Sequence, residues 1–85
     1  MLVPVKVLFF AKSREIVGKK SSNLALPSPI SYKTLLETLI TTYLLHDIAQ
    51  NIILSLNEEF CNVESTEIVL KPGDELAVIP PLSGG

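Results

Sequence analysis

The chain has 85 residues, of which 47% are hydrophobic, and its formal net charge is −2. This length predicts a single domain, and the hydrophobic content excludes a disordered chain. The seven basic residues are scattered along the sequence, so no nucleic-acid or membrane surface is expected. Because no apolar run can cross a bilayer, no signal peptide is recognisable and Cys61 is the only cysteine, the sequence predicts a reducing, cytoplasmic setting.

Two strands are predicted in the N-terminal third of the chain. Residues 3–10 are rich in strand formers, and their alternation places Val5, Val7 and Phe9 on one face. Residues 11–18 are predicted to form a connection with one helical turn. Residues 22–26 are predicted to form the second strand, which the prolines that follow bring to an end.

The clearest local pattern predicts a helix from Tyr32 to Leu44, with Ser31 as its N-cap. Six apolar residues repeat there at helical spacing: Leu35, Leu36, Leu39, Ile40, Tyr43 and Leu44. The opposite face is rich in threonine, which is a poor helix former. The helix is therefore expected to depend on packing against a sheet.

Three further strands are predicted in the C-terminal half. Residues 52–56 and the short stretch 60–62 flank a turn. Residues 71–74, Lys-Pro-Gly-Asp, have the composition of a type II turn. Residues 75–79 are predicted to form the last strand.

The order of these elements predicts an α+β fold with one main helix packed across one face of a mixed sheet. Leu76 and Val78 of the last strand are expected to face that helix. The first and last strands are the most apolar, which places them side by side in the middle of the sheet. This is the β-grasp, or ubiquitin-like, arrangement, and it is expected to span residues 1–79.

Residues 80–85 are predicted to form an extended C-terminal tail. Pro80 and Pro81 cannot donate the hydrogen bonds of a sheet, and they favour an extended backbone. Gly84 and Gly85 lack a Cβ, so they can enter a channel too narrow for other residues. The tail is therefore predicted to present its terminal carboxylate inside another protein, with a frayed chain end as the alternative.

Two stretches resemble a known family. They are VKVLFFAKSREIVG, residues 5–18, and KPGDELAVIPPLSGG, residues 71–85. Within them, FFAKSRE followed by Gly18 resembles the opening motif of the small, sulfur-carrying subunit of molybdopterin synthase, a ubiquitin-like β-grasp family. GDELAVIPPLSGG resembles the ending of that family. The length and the order of elements match across the whole chain, whereas the helix and the middle of the chain carry little specific signal.

The resemblance implies that the tail acts in molybdenum cofactor biosynthesis. A ubiquitin-activating-type enzyme would use ATP to adenylate Gly85, and the adenylate would then become a thiocarboxylate. Gly84 would give the tail flexibility beside it. The sulfur on Gly85 would attack cyclic pyranopterin monophosphate in the large subunit of the synthase. The chain would bind no cofactor, would not be catalytic alone, and would form a heterotetramer with the large subunit.

The sheet face that points away from the helix is predicted to be a docking surface. Leu8, Phe10, Ala77 and Ile79 should form one exposed apolar patch there. Phe60 extends this patch or, alternatively, covers the edge of the core. The family is similar in docking its partners on this face. The partner contacts that the resemblance implies are Phe10, Phe60, Ile79, Pro80, Pro81, Leu82 and Ser83.

Other functions remain open on the sequence. The chain could be a sulfur carrier for thiamine synthesis or tRNA thiolation. It could also be a ubiquitin-like modifier joined through Gly85 to lysines, or an interaction module with an incidental tail. Cys61 and His46 are expected to be structural or surface residues. One histidine and one cysteine cannot form a zinc site, and the sequence has no phosphate-binding loop motif.

Overall fold

The computed structural model describes residues 1–80, which form one five-stranded sheet and two α-helices. A 3-10 helix follows the second α-helix. The elements in chain order are β1 (Leu2–Phe9), α1 (Ala11–Val17), β2 (Ser21–Pro27), α2 (Tyr32–Tyr43), the 3-10 helix (His46–Asn51), β3 (Ile53–Leu56), β4 (Glu59–Phe60) and β5 (Glu75–Ile79).

The strands lie in the order β2-β1-β5-β3-β4. β1 and β5 are parallel neighbours in the middle of the sheet, with Lys6 opposite Glu75 and Phe9 opposite Val78. The pairs β1–β2, β3–β5 and β3–β4 are antiparallel. The prediction that the first and last strands are central neighbours is confirmed, and the fold is the β-grasp.

The core lies between the sheet and α2. Alternate residues of the central strands are buried, including Val7 on β1, Leu76 on β5 and Leu54 on β3. Leu35 and Leu39 of α2 are fully buried against them. This period-2 burial on the strands and helical spacing on α2 explain why the sequence pattern identified both layers.

The two ends of α2 are closed in different ways. At the start, the side-chain hydroxyl of Ser31 accepts the backbone N–H of Thr34 at 3.1 Å, as predicted for an N-cap. At the end, Leu44 adopts a left-handed conformation, with φ of 57°. Its side chain is 71% exposed, so its predicted place in the buried stripe is wrong. The left-handed turn redirects the chain, and Leu45 is fully buried instead.

α1 is longer than the single turn that the sequence predicted. It spans seven residues and ends at Gly18, whose φ is 78° and whose N–H donates to the carbonyl of Arg14 at 2.8 Å. Glycine enters this left-handed conformation without a Cβ clash, so it suits the C-cap. Ile16 and Val17 are partly buried against the core, and this packing stabilises a helix with little local signal.

Two turns meet at the start of β5. Asn57 and Glu58 form the β3–β4 turn with positive φ, so β4 begins one residue earlier than predicted and is two residues long. In the predicted 71–74 turn, Gly73 has φ of 86° and the Asp74 N–H donates to the Lys71 carbonyl at 3.1 Å. The Asn57 side-chain amide and the Lys71 backbone N–H both donate to the Asp74 carboxylate. These hydrogen bonds, that of Asn57 foremost, hold the pKa of Asp74 below its usual value.

Candidate functional site

The strand that precedes the C-terminal tail lies in the middle of the sheet. β5 ends at Ile79, and Pro80, the next residue, is buried. β5 lies between β1 and β3, so the base of the tail is held on both sides by paired strands. The tail residues predicted to contact partners or carry sulfur, Pro81, Leu82, Ser83, Gly84 and Gly85, lie outside the described residues.

A buried serine joins α1 to the strand that carries the tail. The hydroxyl of Ser13 accepts the backbone N–H of Phe10 at 3.0 Å. Its single proton can be donated to the Phe10 carbonyl, at 2.7 Å, or to the Val78 carbonyl, at 3.1 Å. Ser13 was not among the predicted site residues. Its signal in the sequence was its position in the FFAKSRE motif, three residues after Phe10, where the first strand was predicted to end.

Replacing Ser13 by alanine should lower the free energy of unfolding by about 1–3 kcal/mol. The change leaves a backbone N–H and a carbonyl near the base of the tail without their hydroxyl partner. Urea denaturation measures this loss. Ser21→Ala, at a partly exposed position on β2, is the matched control and should change stability by at most about 0.5 kcal/mol. Equal losses in the two variants would contradict the anchoring role.

The predicted apolar residues come together on the sheet face away from α2. Strand pairing places Leu8 opposite Ala77, and Ala77 opposite Ser55. Ser55 in turn lies opposite Phe60, so one row of side chains crosses four strands. Phe60 is 76% exposed and therefore points outward, so the alternative that it covers the edge of the core is wrong.

The second row of this face lies nearer to the tail. Ile79 is partly buried, and Phe10 continues the alternation of β1 in an extended conformation with its side chain 48% exposed. Ile53 pairs with Ile79 and is 45% exposed, a contribution that the sequence analysis missed. No sequence signal distinguished Ile53, because it stands in an unbroken apolar run with Ile52 and Leu54, both of which the structure buries.

We call this surface the docking face. It consists of Leu8, Phe10, Ile53, Phe60, Ala77 and Ile79. A largely apolar surface with two exposed aromatic rings, in which Ser55 separates Ala77 from Phe60, has the chemistry of a protein interface. Because Ile79 directly precedes Pro80, the docking face adjoins the base of the tail, and one partner can contact both.

Residues with acid-base or nucleophilic potential lie elsewhere. Cys61 is half-buried, and burial raises the pKa of its thiol, which disfavours the nucleophilic thiolate form. Burial likewise raises the pKa of Tyr32. His46 opens the 3-10 helix. Within residues 1–80, no three His, Cys, Asp or Glu side chains are grouped so that they could hold a metal ion. Over the same range, no helix is long and apolar enough to span a membrane.

Sequence comparison identifies the family. The model of the ThiS family matches residues 7–85. The chain belongs to the ThiS family. This match runs from Val7 in β1 through the rest of the β-grasp domain to the Gly-Gly end of the sequence.

Relatives of this ThiS-family chain match over nearly its whole length. It is 49% identical over 84 residues to the molybdopterin synthase sulfur carrier subunit of Drosophila yakuba, covering 99% of this chain and 93% of that protein. It is 41% identical over 85 residues to the human protein of the same name, covering 99% and 97%. The resemblance predicted from the two end motifs is confirmed.

Solved structures share the fold. Subunits 1 and 2 of the molybdopterin-converting factor of Helicobacter pylori form a complex in which one chain matches with a TM-score of 0.68 at 22% identity, covering 98% of this chain and all of that one. The small archaeal modifier protein 1 of Methanosarcina acetivorans matches with a TM-score of 0.75 at 25% identity, covering 100% and 99%. Both support the β-grasp assignment.

Proposed function

We propose that this chain is the sulfur carrier subunit of a molybdopterin synthase and that Gly85 carries the sulfur. The observation that carries this proposal is the identity of 41–49% to proteins of that name over nearly the whole chain, and the family model matches as far as Gly85. The structure supports it by placing the base of the tail at the centre of the sheet, beside an apolar docking face. The chain delivers a reactive group and leaves catalysis to its partners.

The chemistry of the tail follows from the properties of a carboxylate. A carboxylate at neutral pH is a poor electrophile, so it needs activation before sulfur can be added. Attack of the Gly85 carboxylate on ATP forms an acyl-adenylate and releases pyrophosphate. The terminal sulfur of a protein persulfide attacks the adenylate and displaces AMP, which gives an acyl disulfide. A thiol then reduces this disulfide, is itself oxidised to a disulfide, and leaves the thiocarboxylate on Gly85. That sulfur is nucleophilic and attacks cyclic pyranopterin monophosphate in the large subunit, and water then cleaves the bond between the Gly85 carbonyl and sulfur and restores the carboxylate.

The proposal assigns ATP and the general acid-base residues to partner proteins. The activating enzyme, of the ubiquitin-activating type, binds and consumes ATP, and the chain itself needs no resident cofactor. The Helicobacter pylori complex of two subunits supports a large-subunit partner for this chain. A heterotetramer with two copies of each subunit, assembled in the cytosol, is the form that we propose.

Attachment to proteins is the second candidate function. The observation that favours it is the TM-score of 0.75 to an archaeal modifier protein, the higher of the two structural matches described above. A modifier uses the same adenylated glycine, but a lysine amine replaces AMP and an isopeptide bond results. The product therefore distinguishes the two functions, since a carrier gains sulfur and a modifier becomes linked to other proteins.

The deciding experiment is intact mass spectrometry after incubation with the activating enzyme, ATP and a sulfur donor. We expect a mass gain equal to the replacement of one oxygen by one sulfur, localised to Gly85 by fragmentation. A variant that lacks Gly85 is the control and should gain nothing. An unchanged mass, with an activating enzyme shown to act on another carrier, would contradict the proposal. A ladder of lysine-linked products on a denaturing gel would favour the modifier.

A further inference from the structure

The basic residues are concentrated in one short segment. Four of the seven lie between residues 12 and 20, and Glu15 is the only acidic residue among them. The segment therefore carries +4 − 1 = +3, whereas the remainder of the chain carries three basic and eight acidic residues, or −5. These two values sum to the net charge of −2. The expectation that the basic residues are scattered is therefore wrong, because more than half of them lie within residues 12–20.

This basic segment lies at the β2 side of the same end of the sheet at which β5 ends. Its residues, Lys12, Arg14, Lys19 and Lys20, are all exposed on α1 and the α1–β2 turn. Arg14, Lys19 and Lys20 line a shallow cleft. The backbone N–H of Phe9 donates to the Lys20 carbonyl at 2.9 Å, and Ser13 joins α1 to Val78. We call these four residues the basic corner.

Acidic residues occupy the diagonally opposite corner. Glu58 and Glu59 lie at the β3–β4 turn, and both are exposed. β4 is the edge strand farthest from β2. The turn lies at the start of β5, since Leu56 pairs with Leu76, and Pro80 follows the other end of that strand. Glu58 and Glu59 are the acidic corner.

The docking face thus lies between two corners of opposite charge. Phe10 adjoins the basic corner through α1, and Phe60 adjoins the acidic corner through Glu59. Apolar contacts alone allow a partner to bind in several rotations, because they carry no direction. Charges of opposite sign at the two ends favour one rotation and repel its reverse.

We propose that the basic corner binds an acidic surface of the large subunit and, together with the acidic corner, fixes the rotation in which the tail enters that subunit. A protein surface fits both corners, whereas a small anion would contact only the basic one. The two corners lie at opposite ends of the docking face, whose apolar side chains would be buried against a partner protein. This inference rests on the proposed function, since it assumes that the large subunit is the partner.

Matched charge reversals test the proposal. Lys20→Glu alters the basic corner, and Lys33→Glu makes the same charge change on the exposed side of α2, in the other layer. Glu58→Lys and its control Glu37→Lys on α2 test the acidic corner in the same way. Association and dissociation rates with the large subunit of the same organism are measured by surface plasmon resonance at low and high salt.

We expect Lys20→Glu and Glu58→Lys each to lower the association rate constant about fivefold relative to its control at low salt. The difference should shrink at high salt because exposed charges are screened. Corner variants that associate at the same rate as their controls, with the unsubstituted chain binding normally, would overturn this inference and leave the proposed function intact. Failure of the unsubstituted chain to bind at all would overturn both.

Discussion

Replacing Phe60 by alanine is expected to weaken binding to the large subunit about 10- to 30-fold, equivalent to about 1.4–2 kcal/mol, while the fold is retained. The ring is 76% exposed and stands at one end of the row that crosses four strands, next to the buried Ser55. Its burial in a complex removes a large apolar area from water. Its loss leaves the monomer core untouched, so the effect should appear in binding alone.

Isothermal titration calorimetry with the purified large subunit measures this effect. Leu44→Ala is the matched control, because Leu44 is similarly exposed at 71% but lies at the end of α2, in the other layer of the fold. Phe10→Ala, at the opposite side of the docking face, should weaken binding in the same direction as Phe60→Ala. If neither phenylalanine variant binds more weakly than Leu44→Ala, the sheet face is not the docking surface.

Replacing Leu39 by alanine is expected to lower the free energy of unfolding by about 3 kcal/mol, within the range of about 2–5 kcal/mol for buried leucines. Leu39 is fully buried in the middle of α2. The threonine-rich outer face gives this helix little intrinsic stability, so the helix depends on its buried leucines. Small domains have only about 5–15 kcal/mol of stability, and this single loss would remove a large part of it.

Chemical denaturation at constant temperature measures the change from the urea midpoint and the slope. Leu36→Ala is the matched control, since it deletes the same atoms from the same helix at a partly buried position. Its loss should be clearly smaller, because fewer contacts are removed and water can fill the space. A loss below about 1 kcal/mol for Leu39→Ala would show that α2 is not packed on the sheet as described.

The two layers of the fold were predictable because burial repeats along each element. On β5, the alternation of Leu76 and Val78 with Ala77 and Ile79 predicted the two faces of the sheet, and the structure confirms it. The end of α2 was not predictable from spacing. By helical spacing, Leu44 belongs to the apolar stripe and Leu45 does not. The left-handed conformation of Leu44 turns the chain, so that Leu45 is buried and Leu44 is exposed.

The anchoring role of Ser13 was out of reach of local patterns. Its partner Val78 is 65 residues away in the sequence. One amino-acid sequence does not distinguish a serine that is buried from one that is exposed. α1 was underestimated for the same reason, because its packing against β1 and β5 is a tertiary contact. Local propensity is a weak guide where long-range contacts determine the structure.

The docking face was largely predictable, with one gap. Leu8, Phe10, Ala77 and Ile79 followed from alternation on the two most apolar strands. Ile53 was missed because it stands in the apolar run of residues 52–54, where the sequence does not show which side chain faces outward. The pairing of Ile53 with Ile79 decides this, since the register of β3 against β5 sets the face of every residue on it.

The parallel pairing of β1 with β5 also governs how the chain reaches its native state. Lys6 and Glu75 are neighbours in the sheet although nearly the whole described chain separates them. Closing such a long loop costs entropy before the pairing can stabilise anything, so folding should be slow for a domain of this size. A truncated chain that ends before Glu75 lacks the central strand and leaves β1 and β3 without a shared neighbour. The native sheet therefore forms only in a chain that contains β5, the strand that directly precedes Pro80 and the C-terminal residues.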